Sequence, residues 1–140
     1  MILSRKSDYG LQAALELAHI YGSGVLPARK IAQQHRLPIA FVKKLMQALR
    51  RAGLVTAFGG QQGGYALARP PREISIRHLL EALEGNLSPV RCLTLAVHCE
   101  LAPGCPTRRV WRHLDQKIQE TLESVSLQDA LDLSDTQGGL

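Results

Sequence analysis

The narrowest limit on the fold comes from residues 27–53, PARKIAQQHRLPIAFVKKLMQALRRAG. Pro27 suits the first turn of a helix. Pro38 disfavours a helical conformation at Leu37, so the helix that begins near Pro27 has to break at 36–38. Beyond that break Phe41, Val42, Leu45 and Leu49 share one helical face, and Gly53 stops the run. A short helix, a tight break and a longer basic helix have the form of a helix-turn-helix. LVTAF (54–58), GGQQGG and YALA (65–68) then read as a β-hairpin with a glycine-rich tip, which makes a wing directly after the second helix.

The flanking segments are helical by the same criteria. Ser7 is expected to cap a first helix with Leu11, Ala14, Leu15 and Ala18 inward and Gly22 at its end. PREISIRHLLEALEG predicts a helix capped at Ser75 and stopped by Gly85. In TRRVWRHLDQKIQETLESV, residues Trp111, Leu114, Ile118 and Leu122 recur at helical spacing. A compact winged helix offers this long amphipathic helix no partner, so a second copy of the chain is its simplest burial site. The expected class is mainly α: a winged helix-turn-helix domain over 1–85, a cysteine-bearing loop over 86–106, a dimerisation helix and a helical turn over 107–133, and a tail over 134–140.

Charge separates the two ends. Residues 1–60 carry nine Lys or Arg against two acids, and residues 61–140 carry eight against ten, within a net charge of +5. A basic front suggests a polyanion partner. On the second helix of the helix-turn-helix, Ala40, Lys43, Lys44 and Gln47 are placed to read bases in the major groove. Arg50 and Arg51, a turn further on, suit phosphate contacts, as do Arg29, Lys30, Arg5 and Lys6. Gln61 and Gln62 at the wing tip are candidates for minor-groove contact. A phosphate-cradling loop would need a following helix and a lysine, which GGQQGG lacks. No triad or paired carboxylates point to an enzyme. No apolar run is long enough for a membrane span and no signal peptide opens the chain, so a cytoplasmic protein is expected.

All three cysteines, Cys92, Cys99 and Cys105, fall within fourteen residues. Their spacing matches neither a zinc ribbon nor a zinc finger. In a reducing compartment clustered thiols point to metal or redox chemistry rather than cross-links. An iron–sulfur cluster, a zinc site and a thiol redox switch all stay open on these residues alone.

The opening SDYGLQAALELA, the AGLV…GGYALA wing, the three cysteines and the TRRVWRHL helix together resemble the Rrf2 family of bacterial transcription regulators over essentially the whole chain. The resemblance implies a homodimeric, DNA-binding regulator that acts on a palindromic operator and senses iron–sulfur, iron, nitric oxide or redox status through a cluster. It makes Cys92, Cys99 and Cys105 the cysteine ligands. The family's [2Fe-2S] biogenesis regulators carry a histidine where this chain has Arg108. A nitric-oxide-sensing branch takes its fourth ligand from an aspartate in the first helix of the other subunit, matched here by Asp8, which favours [4Fe-4S] over [2Fe-2S]. His98, Glu100 and His113 are the other candidates. Gly59 replaces the family's frequent wing arginine, and Lys43 stands where the biogenesis regulators carry a base-reading acid, which implies a different operator.

Overall fold

The computed structural model describes residues 3–90 and 104–136. Helix α1 spans Arg5–His19, and it begins a turn before the expected cap. Ser4 is the cap, its hydroxyl accepting from the Lys6 amide at 3.2 Å. Ser7 lies inside the helix, 3% exposed, and donates to Glu84 Oε1 at 2.8 Å. The reason is a carboxylate from a distant element. Glu84 also accepts from the Ser4 amide at 2.9 Å and from the Ser4 hydroxyl, so a negative charge sits on the positive end of α1.

Helix α2 (Ala28–His35) follows Pro27 and ends at Arg36, whose φ of 53° is left-handed. The Leu37 amide then returns to the Ala32 carbonyl at 2.9 Å. Helix α3 (Ile39–Arg51) starts after Pro38 and buries Val42, Leu45, Met46 and Leu49. Phe41, expected inward, is half-buried and meets Tyr9 edge-on at 6.1 Å. At Gly53 φ is 76°, a conformation that a residue without Cβ adopts freely, and the chain turns there into the wing.

The wing is an antiparallel pair, β1 (Val55–Phe58) and β2 (Gly64–Leu67), in register from Val55 opposite Leu67 to Phe58 opposite Gly64. A single 3-10 turn, Pro71–Glu73, leads to α4 (Ile76–Glu84), capped by Ser75 and ended by Gly85 as expected. After the segment outside the described residues come α5 (Arg108–Ser124) and α6 (Leu127–Asp135).

The last two helices depart from expectation. Helix α5 is not without an intramolecular partner, because it packs along α4. Helix α6 is more than a turn and reaches Asp135. Ser126 and Asp129 form a reciprocal capping box at its start. Main-chain bonds from Ile76 N to Val125 O (2.8 Å) and from Leu127 N to Ile74 O (2.7 Å) fasten this junction to the entry of α4. Leu127 and Ile74 are fully buried. The result is one apolar core in which Ala13, Leu17, Leu49, Leu79 and Leu127 all take part.

The hydrogen bonds from Ser4 and Ser7 hold the Glu84 carboxyl below its ordinary range, against the opposing effect of burial. A depressed folded-state pKa adds stability above the unfolded value, and that stability is lost as the pH falls through the folded value. Glu84→Gln should therefore lower stability by about 1–2 kcal/mol at neutral pH. The gap from wild type should close in acid below the ordinary glutamate pKa of about 4.3. Denaturant midpoints across a pH series measure both effects, and a pH-independent gap would contradict the assignment.

Candidate nucleic-acid interface and cysteine site

Burial of Val42, Leu45, Met46 and Leu49 turns the opposite side of α3 to solvent. Ala40, Lys43, Lys44, Gln47, Arg50 and Arg51 are all exposed there. Arg29 and Lys30 are exposed on the first turn of α2, and Arg5 and Lys6 on the first turn of α1. Between Glu16 and Glu73 the chain contains no Asp or Glu at all, a signal that a count by halves understates. Glu16 itself faces α2, where its carboxylate meets His35 Nε2 at 2.7 Å. The whole helix-turn-helix and wing thus carry cations with no acid of their own to neutralise them.

Gln61 and Gln62 are exposed at the wing tip, as expected. The root of the wing is held by residues that periodicity does not single out. Leu26, in the α1–α2 connection, exchanges two main-chain bonds of 2.9 Å with Tyr65. Gly64 permits this approach, because a Cβ there would lie 2.7 Å from the Leu26 carbonyl carbon and 2.8 Å from Pro27 N. A glycine inside a strand was the available signal.

Of the cysteines, Cys105 is described; Cys92 and Cys99 lie outside the described residues, as do His98 and Glu100. Cys105 stands just ahead of α5, with Sγ 3.3 Å from Thr107 Oγ1. The Thr107 hydroxyl, followed by the Thr107 and Arg108 amides, holds the thiol below its usual pKa. A thiol so placed favours the thiolate, the form that binds metal or attacks a disulfide. Asp8 is exposed in the first turn of α1 and accepts from Gln12 Nε2 at 3.0 Å. His113 is exposed on α5. No group of three or more His, Cys, Asp or Glu suited to a metal forms among the described residues.

Along α5, Val110, Trp111 and Leu114 are exposed at 54%, 38% and 42%, whereas Ile118 and Leu122 are half-buried. Across the contact with α4, Ser75 Oγ donates to Glu123 at 3.3 Å, and Arg77 lies 4.0 Å from the same carboxylate. No described helix is long and apolar enough to cross a membrane.

Residues 3–133 match the family model Rrf2, an iron-dependent transcriptional regulator. The chain belongs to the Rrf2 family. It is 39% identical to slr0846 of Synechocystis sp., an HTH-type transcriptional regulator by name, over 92% of this chain and 86% of that one. Among solved structures, CymR, the global cysteine regulator of B. subtilis, superposes with a TM-score of 0.78 at 32% identity, covering 96% of this chain and 99% of CymR. T. potens IscR does so with a TM-score of 0.74 at 33% identity, covering 99% and 94%. As an Rrf2 protein the chain is a winged-helix, DNA-binding transcription regulator and not an enzyme.

The close approach at Gly64 can be tested. Gly64→Val places side-chain carbons against the Leu26–Pro27 backbone, which a flexible side chain cannot relieve. It should cost about 1–3 kcal/mol in thermal or denaturant unfolding, the usual range for overpacking. Gln62→Ala at the exposed tip should leave stability within about 0.5 kcal/mol of wild type.

Proposed function

We propose that this Rrf2 protein represses or activates transcription as a homodimer whose affinity for a palindromic operator is set by an iron–sulfur cluster. The observation that carries the DNA-facing half is the acid-free stretch between Glu16 and Glu73, which presents every exposed cation of α2 and α3 unopposed. In this reading α3 enters the major groove. Lys43 or Lys44 bonds guanine, Gln47 bonds adenine, and Ala40 lies against the groove floor. Arg29, Arg50 and Arg51 bind phosphate, and the wing brings Gln61 and Gln62 to the neighbouring minor groove. Half-sites are then separated by about 34 Å or a multiple of it.

Dimerisation uses the apolar stripe of α5. Trp111, Leu114, Ile118 and Leu122 would pack against the same residues of a second copy, consistent with the exposure of the first two. Leu114→Lys should then give monomers in sedimentation at micromolar concentration, and a monomeric wild type would contradict the assembly.

The cluster ligands in this reading are Cys92, Cys99 and Cys105, with Asp8 of the second subunit completing the set and [4Fe-4S] preferred. The thiolate-favouring surroundings of Cys105 fit such a ligand. A bound cluster supplies a redox- and nitric-oxide-sensitive centre. The protein's part is to hold it between the head, through Asp8 on α1, and the start of α5, through Cys105, so that its presence biases the spacing of the two α3 helices. A second reading rests on the same thiol. A cytoplasmic regulator could use its cysteines, Cys105 among them, as a redox switch without a cluster, and the likeness to Staphylococcus aureus CymR, whose structure is solved in an oxidized form, supports that alternative.

Anaerobic purification separates the two, since a cluster gives a coloured protein with thiolate-to-iron absorption and free thiols give none. Cys99→Ala should abolish the colour. Asp8→Ala should keep a cluster while removing its effect on DNA affinity. An Asp8→Ala protein identical to wild type in spectrum and in cluster-dependent binding would move the fourth ligand to His98, Glu100, His113 or solvent.

A further inference from the structure

Arg36 occupies a place where the backbone favours glycine. Among the described residues it is the only non-glycine with positive φ, at 53°, and it sits at the C-terminal end of α2 where a helix commonly turns left-handed through glycine. The left-handed turn lets the Arg36 and Leu37 amides bond the Gln33 and Ala32 carbonyls, which glycine would allow equally, and the exposed arginine side chain makes no ion pair or hydrogen bond with the described residues. The side chain borders an open cleft of about 620 Å³ between the first turn of α1 and the start of α3. Arg5 and Lys6 of α1, Arg36 and Leu37 of the break, and the edge-on pair Tyr9 and Phe41 all line it. No acid lines it. Glu84, whose charge reaches Lys6, is already engaged by Ser4 and Ser7.

We propose that Arg36, together with Arg5 and Lys6, is a phosphate clamp that grips one strand of duplex DNA beside the groove entered by α3. The inference rests on the DNA-binding reading and adds to it a contact that the exposed face of α3 does not contain. Three cations around an open, acid-free cleft match the repeating charge of a sugar–phosphate strand. The turn carrying Arg36 leads through Pro38 straight into α3, so a phosphate held there fixes the depth and angle at which Ala40 and Lys43 meet the bases. The left-handed turn at Arg36 ends α2 there, and Arg36 lines the cleft together with residues of α1 and α3. Such a contact carries no base information; it sets register.

The test uses Arg36→Gly, Arg36→Lys and the double variant Arg5→Gln/Lys6→Gln in the full chain, on a random-sequence duplex over a salt series. Glycine is at ease at this φ, so Arg36→Gly should melt no lower than wild type. Its salt slope, the fall of log affinity with log salt, should nonetheless shrink by about 0.9 for each subunit engaged. Arg36→Lys should restore the slope, and Arg5→Gln/Lys6→Gln should reduce it like Arg36→Gly. The loss should be the same factor on a random duplex and on a selected operator, unlike that of Lys43→Ala. If Arg36→Gly keeps the wild-type slope, or if Arg36→Lys fails to restore it, the clamp is wrong while the DNA reading stands. A wild type without salt-dependent affinity for duplex DNA would overturn that reading itself.

Discussion

Two main-chain hydrogen bonds, between residues 74–76 and 125–127, decide how the two C-terminal helices join the winged helix. They bring the C-terminal end of α5 back to the entry of α4 and insert Leu127 into the same core as α1. Full burial of a leucine is worth about 1.5–3 kcal/mol, comparable to a large share of a small domain's stability. The other end of α5, from Arg108 to Leu114, has no such anchor among the described residues and exposes Val110, Trp111 and Leu114. The long helix is thus fastened at one end and open at the other. In sequence, the three cysteines lie between the end of α4 and the open end of α5.

Exposed polar groups take part in the α4–α5 contact. Arg77 bonds Glu81 at 2.9 Å within its own helix and reaches Glu123 at 4.0 Å, and both partners are more than a third exposed. Exposed pairs of this kind contribute about 0–1 kcal/mol. Gln119 Oε1 is buried there without a partner, which subtracts from the contact. These polar contacts add little to the alignment of α5, whereas Leu127 and the paired backbone anchor its C-terminal end. Under the proposed assembly this matters, because an apolar stripe covered by a second copy can dictate the angle of α5 without having to break a strong internal interface.

Local signals predicted the helix-turn-helix and wing because local chemistry makes them. Pro27, Pro38 and Gly53 punctuate the chain at the positions where the helices start and stop. Ser75 and Gly85 do the same for α4. Failure came where a distant residue intervened. Ser7 looks like a cap until Glu84, seventy-seven residues away, takes its hydroxyl and lets Ser4 cap instead. The docking of α6 was legible only in part: Ser126 with Asp129 three residues on is a capping box before an apolar residue, but its burial against α1 depends on the backbone pairing at Ile74. Exposure of Ala40, Lys43, Lys44 and Gln47 followed from helical period alone, whereas the left-handed state of Arg36 needed coordinates. So did the surroundings of Cys105, where Thr107 rather than a neighbouring cation dominates.

The distribution of acids links these pieces. In the head two carboxylates serve internal contacts: Glu16 holds α2 through His35, and Glu84 holds the start of α1. None is left on the exposed face of α2 and α3 to weaken its positive field. Beyond α4 the balance reverses, with five acids and no Lys or Arg after residue 118. Three of these five acids, Asp129, Asp132 and Asp135, lie on α6, which packs against α1, so the surface that attracts a polyanion is the acid-free side of α2 and α3 and not one end of the chain. Two such chains joined along α5 would each present this surface, and the attraction would act on the pair as a unit. Salt would screen this attraction over about 10 Å at 0.1 M, so under the proposed reading charge would govern the approach to DNA while the proposed contacts of α3 and Arg36 would act on arrival.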